Sequence, residues 1–457
     1  MRVFYHTSGC KANQYDTERM RQELDARGGR RVQAIEDAEV CILNTCTVTN
    51  AADADARRMV RRIHRRNPQA RIVVAGCSAA LRAQEYARMD GVSEVVPGHD
   101  PREVSRAAVQ RARADSMQVP MQGQLRDPSP AGLVQIMERR SLDRMDLESV
   151  GGELLRRRHA GTRGWLKIQD GCDRKCAFCA TRLARGRSRS RTVDAIVTEA
   201  RLLAAHHAEI VLTGIHIGHY GLDLSGGPDL GGLVNRLLDE VPDVRFRLGS
   251  IEATEICDEL VDRLTDSGGR LAPHLHMPLQ SGADPVLRRM RRWHTREQYR
   301  ARTLEIAERI PVLGLGADVI TGFPGETEKD HQVTSDLIEE LPFTYLHVFP
   351  FSPRDGTVAA DLVRDMPVPE RVAGERSRDL RSRVQAKGEA YAQRRSGTAA
   401  RVVVERSSSG LTGDYLRVAV GVDLAQRVGD VAEGVLQMGP QGLYIGSLGS
   451  ESVQIDA

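Results

Sequence analysis

Cys172-Asp173-Arg174-Lys175-Cys176-Ala177-Phe178-Cys179 places three thiols in the spacing C-x3-C-x2-C. Three thiolates on one short loop suit an iron–sulfur cube in which each cysteine holds one iron and the fourth iron stays open to a substrate. Structural zinc is the alternative, and it needs a fourth ligand. No C-x2-C pair elsewhere supplies one, and His159, the nearest candidate, lies beyond Gly161-Thr162-Arg163-Gly164.

Three further cysteines stand far apart in sequence but in similar settings. Cys10, Cys46 and Cys77 each follow an apolar, β-branched run and a small polar or glycine step: Thr7-Ser8-Gly9-Cys10, Asn44-Thr45-Cys46 and Ala75-Gly76-Cys77. Ends of neighbouring strands in a parallel sheet lie side by side at one edge. Such a sheet would bring these thiols together as a second open cluster site. The competing reading is three unrelated buried cysteines, since free cysteine is commonly a small core residue. Cys41, inside a strand-like run, and Cys257, inside a helical one, read as packing residues.

The elements that must position these residues alternate. Val3–Thr7, Val40–Asn44 and Ile72–Ala75 read as strands, with Tyr15–Ala26 and Ala52–Arg66 as helices between them. That pattern predicts a parallel α/β domain over residues 1–100. Residues 101–160, rich in proline and glutamine, read as a linker that starts with a helix over Glu103–Ala114. From residue 161 to 390 six β/α units follow, with strands at Trp165–Gln169, Glu209–Gly214, Val244–Ser250, Pro273–Pro278, Gly316–Thr321 and Tyr345–Pro350. Six units fit an open, partial (β/α)6 barrel, whose site lies at the C-terminal strand ends. Residues 391–457 read as a small all-β barrel, with strands at Ala400–Glu405, Asp414–Val420 and Gln441–Ile445, broken by Ser407–Gly410 and Gly439-Pro440.

The 457 residues are 40% hydrophobic and 28% charged, which excludes a largely disordered chain. No apolar run reaches the ~18 residues of a spanning helix, and Met1–His6 lacks the h-region of a secretory signal. A cytoplasmic protein without membrane attachment is expected, with its eight cysteines serving metal or catalysis rather than disulfides. Of 65 basic residues only five are lysine, a bias better assigned to base composition than to a site. Two arginine segments stand out nonetheless. On the helix Ala52–Arg66, six arginines from Arg57 to Arg66 form one stripe, and Arg185–Arg191 lies beside the Cys172–Cys179 loop. Both read as candidate phosphate contacts or as solvated faces. Aromatics at 4% argue against extensive base stacking.

The cysteine loop, with Phe178 before its last thiol, is similar to that of the radical S-adenosylmethionine (SAM) superfamily. The whole chain resembles its methylthiotransferases. The matching motifs are Gly9-Cys10-Lys11-Ala12-Asn13-Gln14, Asn44-Thr45-Cys46-Thr47-Val48-Thr49, Ala75-Gly76-Cys77 and Lys167-Ile168-Gln169-Asp170-Gly171-Cys172. They continue through Ala184–Arg191, Leu212–Gly218, His276–Gly282 and Asp318–Thr327, and end with Gly410–Tyr415 in what resembles a TRAM domain. Gly-Cys-Lys-x-Asn-Gln at the first cysteine is similar to the branch acting on N6-threonylcarbamoyladenosine, at position 37 beside the tRNA anticodon. Two departures are visible. Ala180-Thr181-Arg182 replaces the usual Ile-Ile-Pro, which should loosen that loop, and Ser78 replaces tyrosine after Cys77.

The resemblance implies two [4Fe–4S] clusters. One sits on Cys172, Cys176 and Cys179, the catalytic set, and binds and cleaves SAM to take hydrogen from C2 of the adenine. The other, on Cys10, Cys46 and Cys77, carries the sulfur that a second SAM methylates. Strand position and Phe178's place in the motif make Phe178, Gly214, Glu252 and Gln280 candidates for the SAM pocket. The implied partners are the tRNA anticodon loop and a reductant such as flavodoxin or ferredoxin. Alternatives are the branches modifying isopentenyl-adenosine in tRNA or a ribosomal-protein aspartate. From a different class comes a non-catalytic iron–sulfur protein that binds RNA or passes electrons, although an electron carrier has no need of an open iron.

Overall fold

The computed structural model describes residues 1–114, 135–136, 154–156, 158, 161–421 and 424–446. It divides into two compact units. The first holds Met1–Ser149, Gly171–Asp173 and Cys179–Arg187; the second holds Val150–Asp170, Arg174–Phe178 and Ser188–Ala457.

The first unit is a parallel sheet of six strands, ordered Arg30–Arg31, Arg2–Thr7, Val40–Thr45, Arg71–Gly76, Val92–Val95 and Gln135–Ile136. Its central strands Val40–Thr45 and Arg71–Gly76 are buried on both faces, as parallel strands covered on both sides must be. Cys41, Leu43, Ile72 and Val74 point to one face and pack under Ala56, Val60 and Ile63 of the helix Asn50–Arg66. Val3, Val40, Ile42 and Val73 point to the other, beneath Met20 and Leu24 of the helix Lys11–Asp25 and Val104, Ala107 and Ala108 of the helix Pro101–Ala114. The last contact corrects the expected linker. Residues 101–114 are a layer of the first unit's core, because their apolar positions recur at helical spacing. The remainder of the expected linker lies mostly outside the described residues.

In the second unit, six parallel strands follow chain order: Gly164–Lys167, Glu209–Thr213, Arg245–Leu248, His274–His276, Gly314–Thr321 and Tyr345–Pro350. Parallel bridges Ser250 to His276 and Phe246 to Leu271 join the two three-stranded halves, giving the open (β/α)6 arrangement expected. After the helix Glu370–Arg395, the strands Ala399–Arg406, Ser409–Thr412, Arg417–Val420, Gly442–Ile445 and Val431–Gly439 close into a five-stranded barrel.

This small barrel is fastened to the larger one by charge. Glu209 is fully buried, and its carboxylate accepts from Arg245 Nε at 2.6 Å and from Arg247 Nε and Nη2 at 2.9 Å. The same guanidinia donate onward to the carbonyls of Arg401, Leu411, Thr412 and Gly413. Burial acts to raise the Glu209 pKa, but Arg247 and Arg245 hold it well below the carboxylate range. No helix among the described residues is long and apolar enough to cross a membrane.

Candidate metal centres

Register explains how distant cysteines meet. Thr7 pairs with Asn44, and Thr45 with Gly76. The strands therefore end level, and Cys10, Cys46 and Cys77 leave from one edge of the sheet. Gly9 has φ +96°, and a Cβ there would stand 2.6 Å from the Cys46 Sγ. Only glycine lets the first cysteine loop approach the second so closely. Gly76, also at φ +96°, would drive a Cβ into the Thr45 backbone at 2.5 Å.

Cys46 and Cys77 are buried, while Cys10 is exposed. Burial pushes the Cys46 thiol up and the Cys77 thiol up to about 12, with the neighbouring thiols adding to the rise and Arg185 opposing it. Two buried thiols beside a third gain from a cation that takes them as thiolates. The Val48 N–H already donates to Cys46 Sγ at 3.4 Å. Asn13 sits at the centre of this cradle. Its Nδ2 donates to the Ser8 and Thr45 carbonyls, each at 3.0 Å, and its Oδ1 lies 3.8 Å from Cys77 Sγ. The residues present fit an iron–sulfur group held by three thiolates. Cys41 packs in the sheet core as expected. Cys257 caps the helix Asp258–Asp266 rather than lying inside it.

The second cysteine set is divided between the units. Cys172 and Cys179 group with the first; the Cys172 N–H donates to the Gly186 carbonyl at 3.2 Å, and the Thr181 N–H to Cys179 Sγ at 3.4 Å. Ala180-Thr181-Arg182 leads into a helix here. Thr181–Arg185 forms a short helix whose Ala184 packs on Cys77 and Ala80. Ser78 is buried with its hydroxyl 2.8 Å from that of Tyr86. His159 lies outside the described residues.

Cys176 groups with the second unit, where Arg292 Nη1 donates to its Sγ at 3.6 Å and Nη2 to Glu252 at 2.5 Å. Burial raises the Glu252 pKa, opposed by Arg292. Glu252 lies beyond the strand Arg245–Leu248, Gly214 directly after Glu209–Thr213, and Gln280 beyond His274–His276. All three are thus at C-terminal strand ends of one barrel. A Cβ on Gly214 would stand 2.9 Å from the Gln169 side-chain oxygen, which accepts from the Ile215 and His216 N–H groups. Gln280 holds φ +68°, a strained value for a residue with a side chain, and is pinned by bonds to Asp318 and Ile320. Phe178 is half-buried against the cluster of Ala177, Val286, Met290 and Phe323.

Several functional neighbours carry almost no signal in the sequence. Arg174, between two of the loop cysteines, bonds Glu255 at 2.8 Å, and Glu255 also receives His216 at 2.7 Å and His219 at 3.2 Å. Arg174 and Arg292 both stack on Trp293, each at 4.1 Å. Arg174 lies between two loop cysteines and His216 within the Leu212–Gly218 motif, whereas Arg292 and Trp293 stand near no cysteine in the sequence. Within the second arginine segment two residues need correction as RNA contacts, while Arg187 is exposed. Arg185 and Arg191 are fully buried, paired with Asp16 and Glu199 at 2.9 Å, so neither reaches solvent. On the helix Asn50–Arg66, Arg57, Arg58 and Arg66 pair with Glu85, Asp55 and Glu36. Arg61, Arg62 and Arg65 are exposed and make no ion pair among the described residues.

Residues 166–338 match the radical SAM superfamily, and residues 2–98 match a family described as uncharacterized protein family UPF0004. Barrel and matches together define a radical SAM enzyme with an additional N-terminal α/β unit. The chain is 35% identical over 427 residues to the threonylcarbamoyladenosine tRNA methylthiotransferase MtaB of Bacillus subtilis, covering 91% of this chain and 89% of that one. Its identity to the MtaB of Aquifex aeolicus is 33%, covering 92% and 96%. The chain belongs to this MtaB family of methylthiotransferases. It is also 33% identical, over 79% of its length, to a tRNA-2-methylthio-N(6)-dimethylallyladenosine synthase of Ruegeria pomeroyi. Among solved structures, the radical SAM methyltransferase TsrM of Kitasatospora setae is similar in fold, with a TM-score of 0.53 at 15% identity over 79% of this chain and 77% of that one. Membership of the radical SAM class implies a [4Fe–4S] cluster and SAM.

Proposed function

We propose that this enzyme adds a 2-methylthio group to N6-threonylcarbamoyladenosine at position 37 of tRNA. The observation that carries the reading is near full-length similarity to enzymes of that name, joined to a second set of three cysteines at one sheet edge. In this reading Cys172, Cys176 and Cys179 hold the SAM-binding cluster, and Cys10, Cys46 and Cys77 hold the second. The two groups would supply one-electron cleavage of SAM and the sulfur to be transferred.

The protein's own part is positioning. Arg292 holds Glu252 and Cys176 together at the barrel mouth. Gly214 lets its strand end approach Gln169 closely, and Gln280 is locked by its neighbours; with Glu252 and Phe178 they would line the SAM pocket. The first unit serves as sulfur donor, the six-strand barrel as radical site and the C-terminal barrel as an RNA-binding module. The electron comes from a cytoplasmic carrier such as flavodoxin or ferredoxin.

The reading is tested by mass spectrometry of tRNA nucleosides from cells lacking the gene. Loss of 2-methylthio-N6-threonylcarbamoyladenosine, with the unmethylthiolated nucleoside accumulating, is expected. Persistence of that mark contradicts the reading, and loss of the isopentenyl form instead would assign the enzyme to the other tRNA branch.

A further inference from the structure

The cradle of Cys10, Cys46 and Cys77 contains a charge that thiolate ligation does not itself require. Arg185 is fully buried, and an ionised group leaves water at high cost unless its partners are well placed. Its Nη2 donates to Asn13 Oδ1 at 2.5 Å and to Asp16 Oδ2 at 2.9 Å, with Asp16 itself 3% exposed. The receiving oxygen of Asn13 is the same one that lies 3.8 Å from Cys77 Sγ. The Asn13 amide nitrogen meanwhile ties together the backbone just before Cys10 and just before Cys46. Arg185 arrives on the short helix Thr181–Arg185, seated by Ala184 against Cys77, and the chain turns away at Gly186 with φ +79°. The guanidinium is therefore held in the cradle by Asn13 and Asp16, with the Asn13 oxygen between it and the Cys77 Sγ.

We infer that Arg185 is a positioning residue for the N-terminal centre, whose fixed positive charge, oriented by Asn13 and Asp16, favours the reduced state of the group held by Cys10, Cys46 and Cys77. This rests on the two-cluster reading above. Net charge and hydrogen bonding near the sulfurs set the potential of such a centre. Reduction adds one electron and hence one negative charge, with no bond made or broken. A buried cation beside the sulfurs stabilises that charge, and the Asp16 carboxylate opposes it. The two residues should therefore act with opposite sign.

The test uses the full chain carrying Cys172→Ala, Cys176→Ala and Cys179→Ala, reconstituted anaerobically with iron and sulfide. Dithionite supplies the electron through redox mediators, and the reduced centre is counted by electron paramagnetic resonance. About four irons per chain in this parent establish the N-terminal centre. At the potential where the parent is half reduced, Arg185→Gln should lower the ratio of reduced to oxidised centre about tenfold, equivalent to ~59 mV for one electron. Arg185→Lys should recover most of the loss, and Asp16→Asn should raise the ratio. An unchanged ratio in an iron-loaded Arg185→Gln protein overturns the inference. So does a fall in Asp16→Asn, or no change there, which decides the matter should Arg185→Gln fail to load iron. A parent that binds no iron refutes the two-cluster reading and the inference with it.

Discussion

His294 shows how strongly the barrel mouth constrains single residues. It is 4% exposed, and burial, with Arg292 beside it, lowers its pKa from 6.5 to about 4. The unfolded chain takes up a proton near pH 6.5 that the folded one refuses until about 4. Stability tied to His294 is thus intact above 6.5 and lost as pH falls toward 4, about 3 kcal/mol in all. Urea unfolding at pH 7 and pH 4.5 should show a smaller acid loss in His294→Gln than in wild type; equal losses would exclude this origin. The site was most legible at this scale. The six cysteines proposed as ligands stand out because thiols are few and their spacing or strand-end setting is distinctive. Arg185 could not be read as a buried cation, because among sixty arginines nothing local marks the one that a short helix carries inward. The same excess hid Arg174 and Arg292.

Elements were legible where apolar periodicity was strong. All six strands of the partial barrel and the helix Asn50–Arg66 lie within a few residues of their expected places. The strands Ser409–Thr412 and Val431–Gly439 were missed because they carry glycines that resemble breaks. A Cβ on Gly410 would stand 2.3 Å from Val402, and one on Gly434 would stand 2.5 Å from the Gly446 carbonyl. In so small a barrel these glycines mark close approach rather than a turn. Docking of that barrel depends on Glu209, which no strand pattern reveals. Glu209→Gln leaves Arg245 and Arg247 buried without their counter-charge. Breaking a buried pair in this way costs about 3–5 kcal/mol. A thermal melt should show a clearly lower transition for Glu209→Gln, together with faster proteolysis between residues 395 and 420. A melt within a degree of wild type would contradict the latch.

At the scale of the whole molecule, the sequence indicated a sulfur-handling unit, a radical barrel and an RNA-binding barrel. Its arginine stripe proved half neutralised by Glu85, Asp55 and Glu36. Arg61, Arg62 and Arg65 are what remains of that stripe for phosphate. Replacing all three with glutamine should weaken tRNA binding and flatten its salt dependence by roughly one unit of slope for each phosphate left without its arginine. An unaltered slope would move the tRNA elsewhere on the surface. The central claim is that one chain carries two iron–sulfur centres on separate cysteine sets. It is tested most directly by iron and sulfide analysis of reconstituted wild type beside Cys10→Ala/Cys46→Ala/Cys77→Ala. Two cubane centres predict about eight irons falling to about four. Equal iron in the two proteins would contradict the claim.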